Sequence, residues 1–254
     1  DTGTLALIEN EGNIRLSTSA PRVHVALVGI EKLVPRLEDL SAFLQLTSRS
    51  ATGQTIGNYV SLIQGPRRAE DPDGPEALHV VFVDNGRTRL LADEVAWEAL
   101  RCLRCGACLN ICPVYRQTGG HPYGFTYSGP IGAILAPALL GLQEAMPLPY
   151  ASSLCGACAD VCPVRIPIPD ILLYWRERAV EAGLVPLSER LGMKGYATAA
   201  EHAAAFASAG ALLRWVPWGA GGRALPVLGG WAGERTPPEL SPRSFRSLWK
   251  EGIR

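Results

Sequence analysis

Long apolar runs are missing from this 254-residue sequence. The longest, Ile131 to Leu142, covers 12 positions and is interrupted by Pro137, whereas a helix needs about 20 apolar residues to cross a bilayer. No segment therefore reads as a membrane-spanning helix, and the expected setting is the cytoplasm, with at most a peripheral association with a membrane. A surplus of either charge is also missing. Lys and Arg number 24, Asp and Glu 24, and the formal net charge is zero, which argues against nucleic-acid binding. The sequence starts at Asp1 with no Met, and its first residues do not read as a charged-then-apolar signal region. Because Asp1 to Arg15 already reads as the interior of a domain, the sequence is expected to be a C-terminal fragment.

Cysteine is absent from residues 1–101 and 163–254, so all seven cysteines crowd into the stretch between. Disulfide frameworks spread their cysteines to staple distant loops, and an odd number leaves one unpaired. Crowding at two- and three-residue spacings fits a metal site in a reducing compartment instead. Hydrophobic residues make up 47% of the chain, enough for a sizeable core and too many for wholesale disorder.

Residues 1 to 92 alternate short apolar runs with turn chemistry. Val23 to Val28 reads as a buried strand ending at Gly29, and His79 to Val83 as another, closed by Asp84-Asn85-Gly86. Between them Ile30 to Leu46 has helical spacing broken by Pro35. Strands separated by helices predict an α/β domain. A helix from about Asp93 to Leu103, with Asp93 as its N-cap, would deliver Cys102. Ile131 to Leu142 reads as an apolar helix, and Ile171 to Glu181 as an amphipathic one with Asp170 as N-cap. Residues 188 to 215 read as helical. From Pro217 the Gly-, Pro- and Trp-rich chain reads as an irregular tail. The expected division is 1–92 (α/β), 93–183 (an α-helical domain carrying the cysteines) and 184–254 (helical, then irregular).

The first motif is Cys102-Leu-Arg-Cys105-Gly-Ala-Cys108-Leu-Asn-Ile-Cys112-Pro113. This is the C-x2-C-x2-C-x3-C-P run of two-cluster ferredoxins, in which three thiolates hold one cluster and the fourth serves the other. Gly106 permits the tight loop, and Pro113 is expected to end the helical tendency after the last ligand. The second motif, Cys155-Gly-Ala-Cys158-Ala-Asp-Val-Cys162-Pro163, aligns with the first on its C-P end. Ser152 then stands where Cys102 stands. By the exchange rule Cys102, Cys105, Cys108 and Cys162 hold cluster 1, while Cys112, Cys155 and Cys158 hold cluster 2 and leave it one cysteine short. Three outcomes are open there: ligation by Ser152, an exogenous ligand completing a 4Fe–4S centre, or a 3Fe–4S centre. Two 4Fe–4S clusters are the favoured reading, since Ser152 and Ser153 offer oxygen donors. Zinc is the competing metal, but four closely spaced cysteines over-supply one zinc ion and the C-P endings have no role in such a site.

The wider sequence carries a resemblance. It runs through Glu9-Asn-Glu-Gly-Asn13, His24-Val-Ala-Leu-Val-Gly-Ile-Glu-Lys-Leu33, Ser50-Ala-Thr-Gly-Gln54, Gly119-Gly-His-Pro-Tyr-Gly124, Tyr127-Ser-Gly-Pro-Ile-Gly132, Pro149 to Cys158 and Ser244 to Trp249. On these residues the chain resembles the iron–sulfur subunits of bacterial L-lactate utilisation complexes, the lactate utilisation protein B family. The resemblance implies an α/β lactate-utilisation domain, similar in fold to sugar-phosphate isomerases and CoA-transferases, ahead of a ferredoxin domain. It implies two partner subunits, one rich in Cys-Cys-Gly motifs, and the oxidation of L-lactate to pyruvate. The span of 43 positions from Cys112 to Cys155 resembles the α-helical ferredoxin domains of succinate dehydrogenase-type and heterodisulfide reductase-type subunits, so an electron carrier for a glycolate or heterodisulfide system is the alternative. A serine at the eighth-cysteine position fits the family pattern.

Other residues carry weaker signals. No Ser-His-Asp set, carboxylate pair or nucleotide loop stands out, so no catalytic residue is assigned to this chain. His121 lies between the motifs and reads as a loop histidine rather than a ligand; His24 reads as strand packing. Arg101, Arg104 and Arg116 flank the first motif, where they either raise its reduction potential or are simply solvated. Four of the six Trp follow Arg214 and are expected to pack the tail or a subunit interface.

Overall fold

The computed structural model describes residues 1–213 and 241–252. The chain forms two compact units, Asp1–Leu184 and Val185–Arg254.

The first unit opens with β1 (Leu5–Glu9) and α1 (Asn13–Ser19). The Glu9 carboxylate accepts the backbone N–H groups of Ile14 and Arg15 at 2.7 and 2.6 Å. Those donors have no partner within a helical first turn, so Glu9 satisfies them from outside the helix. β2 (Val23–Gly29) follows, then α2 (Leu40–Thr52), β3 (Tyr59–Ile63) and β4 (Ala77–Val83). β1 pairs antiparallel with β3, Leu5 opposite Ile63 and Glu9 opposite Tyr59. β2 pairs parallel with β4, Val23 opposite Ala77 and Gly29 opposite Val83. Parallel partners need a long crossover, which α2 and β3 provide.

The helical spacing over Ile30 to Leu46 resolves into two 3-10 turns, Ile30–Lys32 and Leu37–Asp39, and only then α2. Proline disfavours the α conformation at the residue before it, so Pro35 interrupts the helical spacing at Val34 and postpones the helix. β4 ends at Val83, and the carboxylate of Asp84 accepts the Thr88 N–H at 2.8 Å in the first turn of α3 (Arg87–Leu91). Buried Arg87 reaches back to Glu31 at 2.6 Å and ties α3 to the exit of β2.

The core of this unit is helical. α6 (Gly129–Leu139) buries every residue from Gly129 to Pro137. Its partner α10 (Ile168–Glu181) presents Ile168, Ile171, Leu172, Trp175 and Ala179, all buried, at the 3- and 4-residue spacing of one helix face. The Trp175 indole N–H donates to the Ile134 carbonyl at 3.0 Å, satisfying the one polar atom of a buried ring. Leu90 of α3, Ala96, Ala99, Ala145 and Leu148 complete the packing.

Two capping expectations are corrected. Asp93 accepts the N–H groups of Val95 and Ala96 at 3.0 and 2.7 Å, but the element it opens is a 3-10 helix over Ala96–Arg101 that stops short of Leu103. Its other carboxylate oxygen takes the Tyr174 hydroxyl at 2.7 Å, anchoring the element to α10. Asp170 is not an N-cap: α10 begins at Ile168 behind Pro167, and Asp170 lies within the first turn. A carboxylate there still favours the helix through the dipole.

In the second unit α11 (Leu187–Glu201) and α12 (Ala203–Leu213) occupy most of the stretch read as helical. Residues 217–240 of the expected irregular tail lie outside the described residues. The segment after them contains a helix, Phe245–Lys250, capped by the Ser244 hydroxyl accepting the Ser247 N–H at 3.2 Å, and so departs from that reading. Trp215, Trp218 and Trp231 also lie outside the described residues, while Trp249 is 61% exposed. Among the described residues no helix is long and apolar enough to cross a membrane.

Candidate metal centre

Each cysteine motif folds as a loop closing onto a short helix. In the first, Gly106 adopts φ 79° and starts α4 (Ala107–Ile111), which carries Cys108. In the second, Gly156 at φ 84° starts α9 (Ala157–Asp160), which carries Cys158. Glycine takes this left-handed conformation at no steric cost. Pro113 ends α4 but does not end the helical tendency, because it is the first residue of α5 (Pro113–Thr118). Proline suits that place: its φ is already helical and its missing N–H would have had no partner. Cys112 caps α5, its sulfur accepting the Tyr115 N–H at 3.4 Å. Cys162 accepts the Ile166 N–H at 3.4 Å.

Cys102, Cys105 and Cys108 from the first motif and Cys162 from the second line one cavity of about 280 Å³. Arg104, Tyr127, Ser128, Ile131, Ile166 and Ile168 are among its other walls. Among the described residues no three metal-ligating side chains converge as the ligands of a single ion would. Cys112, Cys155 and Cys158 lie outside this cavity. Cys158 has both Cys112 and Cys155 close enough to repel its thiolate, a smaller effect than its burial.

Burial governs the thiols. It pushes Cys108 up to about 12 against a bond from the Ile131 N–H near the start of α6. It pushes Cys158 up to about 11 and raises Cys102 as well. Cys155, the exposed member of the set, goes the other way: the Ala157 N–H and then the Ser153 hydroxyl hold it below the ordinary thiol range. Iron binds thiolate rather than thiol, so loading the buried cysteines releases their protons to solvent.

Ser152 sits in the second loop as Cys102 sits in the first. The Arg104 N–H donates to Cys102 Sγ at 3.3 Å, and the Leu154 N–H donates to Ser152 Oγ at 3.2 Å. Arg104 and Leu154 share the left-handed region, at φ 63° and 53°. Arg176 of α10 braces the second loop, donating to the carbonyls of Pro149 at 2.9 Å and Ser152 at 3.4 Å.

Several contributors come from parts of the chain that carry no cysteine. The Lys32 ammonium donates to the Cys102 carbonyl, and burial, then Arg104, lower its pKa. Glu31 Oε1 lies 3.6 Å from the Arg104 guanidinium. Arg104 stacks on Tyr127 at 3.5 Å, and its Nη1 is buried with no partner. A cavity walled by four thiols, with backbone N–H groups on the sulfurs and alongside it a cation whose carboxylate partner is shared with Arg87, fits an anionic, thiolate-held cluster. By contrast His121 is exposed and Arg116 is on the surface. Arg101 pairs with Glu98 and donates to the Arg165 carbonyl at 3.2 Å.

The helical core and its two cysteine loops define an iron–sulfur protein. Residues 98–166 match the family of 4Fe-4S dicluster domains, residues 1–83 the LUD domain, and residues 181–253 the C-terminal domain of lactate utilisation protein B. The chain belongs to the lactate utilisation protein B family. It is 45% identical over 257 aligned residues to lactate utilization protein B of Bacillus thuringiensis (strain Al Hakam), and equally to those of Bacillus cytotoxicus and Bacillus anthracis (strain A0248). Each alignment takes in 99% of this chain and 54% of the relative, so the chain spans about half the length of the curated relatives it matches. No solved structure matches it.

Proposed function

We propose that this chain is the iron–sulfur electron-transfer portion of a complex that oxidises L-lactate to pyruvate. Oxidising the alcohol to the ketone releases two electrons and two protons, and iron–sulfur clusters supply one-electron steps that divide such a pair between acceptors. Cys102, Cys105, Cys108 and Cys162 would hold cluster 1. Cys112, Cys155 and Cys158 would hold cluster 2, with Ser152 at the fourth corner, both as 4Fe–4S. The reading is carried by one observation: three cysteines of the first motif and the last cysteine of the second share a single cavity.

The remaining residues orient and insulate. Buried Ile131, Ile166 and Ile168 keep water from the cluster 1 cavity, and N–H groups at Cys102, Cys108, Cys112 and Cys162 favour the anionic sulfur. Exposed Cys155 puts the second loop where a partner subunit could dock. The division proposed is 1–92 as an α/β domain of the isomerase and CoA-transferase type, 93–183 as the cluster domain and 184–254 as the family's C-terminal extension. The partners would include the Cys-Cys-Gly subunit, in the cytoplasm.

EPR with iron quantification on anaerobically purified protein tests the clusters, two 4Fe–4S centres being expected. Growth on L-lactate after deletion tests the pathway: unimpaired growth would sink the lactate reading and favour another oxidoreductase partner.

A further inference from the structure

We propose that Arg104 sets the order in which the two clusters take electrons, holding cluster 1 at a higher reduction potential than cluster 2. The inference rests on the two-cluster reading above. Arg104 and Leu154 occupy equivalent places in the two motifs, with the same left-handed backbone, at φ 63° and 53°, and the same N–H bond to the residue two before. Leucine supports that backbone in the second loop, so the loop's shape does not call for arginine. What arginine adds is charge.

Its surroundings compensate that charge only in part. The guanidinium carbon sits over the Tyr127 ring, 3.5 Å from its centroid, and Nη1 is buried without a partner. Glu31, the carboxylate that reaches it at 3.6 Å, is already bound by Arg87 at 2.6 Å. Lys32 adds an ammonium group on the Cys102 carbonyl. Two guanidinium groups and an ammonium therefore face two carboxylates, Glu31 and the Asp84 that acts on Arg87, which leaves one positive charge in excess beside the first loop. Buried charge left unbalanced is costly, and a thiolate-bound cluster supplies the missing negative charge. Reduction adds one more, so this environment favours the reduced form.

The second loop has the opposite character. Leu154 is neutral, and Asp160 stands near enough to Cys155 to oppose its thiolate. Arg176 is a cation on this side, with its Nε and Nη2 donating to the Pro149 and Ser152 carbonyls of the loop backbone. Exposure of Cys155 brings water and salt, which screen what charge remains. One electron then passes from reduced cluster 2 to oxidised cluster 1, with no bond formed or broken and no proton moved.

The test is an anaerobic, EPR-monitored redox titration of the full iron-loaded chain and of Arg104→Leu and Leu154→Arg. In the unaltered protein cluster 1 should be reduced first. Arg104→Leu should lower the reduced-to-oxidised ratio of cluster 1 at fixed potential by at least tenfold, 59 mV for one electron, leaving cluster 2 unmoved. Leu154→Arg should raise cluster 2. Iron content reports separately on assembly: fewer than two clusters in the unaltered protein overturns the two-cluster reading. Two clusters whose potentials ignore both substitutions overturn the role of Arg104. Should Arg104→Leu lose cluster 1, Glu31→Gln decides: uncovering the guanidinium should raise the cluster 1 potential, and an unchanged or lowered value refutes the proposal.

Discussion

Ser152 Oγ accepts the Leu154 N–H at 3.2 Å, the bond that Cys102 Sγ accepts from Arg104 at 3.3 Å. The second loop thus keeps the geometry of a ligand loop while offering oxygen in place of sulfur. Ser152→Ala should weaken the fourth corner of cluster 2, so that mild oxidation yields the paramagnetic signal of a 3Fe–4S centre. Ser152→Cys should restore four thiolates and an oxidised centre silent in EPR. Identical spectra for Ser152→Ala and the unaltered protein would show that Ser152 is not a ligand.

On the proposed division the two motifs exchange their last cysteines, so single substitutions should be selective. Cys108→Ala is expected to cost about half of the bound iron, removing cluster 1 and sparing the signals of cluster 2; Cys158→Ala should do the reverse. Iron analysis with low-temperature EPR separates the cases. Both signals vanishing together in either variant would contradict the division.

In the metal-free protein the thiols should ionise in a set order. Cys155 lies below the usual range and is exposed, so alkylation followed by mass spectrometry should mark it first as pH rises. Cys158, pushed up to about 11, and Cys108, up to about 12, should react last. Their folded pKa values exceed those of the unfolded chain, so above about pH 8.5 the folded form binds more protons than the unfolded. The metal-free protein should therefore lose stability progressively from about pH 8.5 towards 12. Urea midpoints across that range check the sign.

Ile171 is fully buried between α10 and α6. Ile171→Ala should destabilise the first unit by about 2–5 kcal/mol through lost transfer energy and the cavity left behind. The urea midpoint should fall at constant slope if the folded and unfolded states keep their compactness.

Gly132 lets α6 pass close to the Tyr127 segment: a Cβ there would lie 1.9 Å from the Tyr127 carbonyl oxygen. Alanine favours a helix interior over glycine by about 1 kcal/mol, but a backbone oxygen cannot move aside as a flexible side chain can. Gly132→Ala should therefore be net destabilising. Because Tyr127 supports Arg104, it should also disturb cluster 1, measurable as reduced iron retention.

Much of the architecture was legible because it rests on local chemistry. The strands at Val23 and His79 follow from apolar runs bounded by turn residues, and α10 from its buried spacing through Ile171, Leu172, Trp175 and Ala179. Boundaries were less legible where two local preferences compete. Pro113 stops one helix and begins the next. Pro35 defers α2 to Leu40. Asp170 has a cap's chemistry, yet the helix had already begun behind Pro167. The strand Tyr59–Ile63 is not legible along the chain, since its alternation is short and it pairs with β1, whose Glu9 and Leu5 stand opposite Tyr59 and Ile63 from far back in the sequence.

The sequence by itself determined the candidate ligands, their spacing and the serine at the odd corner, because a tight cysteine loop is specified over a dozen consecutive residues. It also held the contrast of Arg104 with Leu154, visible once the motifs are aligned. Only the tertiary structure decided which charges stand beside that arginine. Glu31 and Lys32 come from the turn after β2, Arg87 from α3 and Tyr127 from the approach to α6. No pattern along the chain links those positions; packing brings them together, and the electrostatic environment of the first cysteine loop is made there.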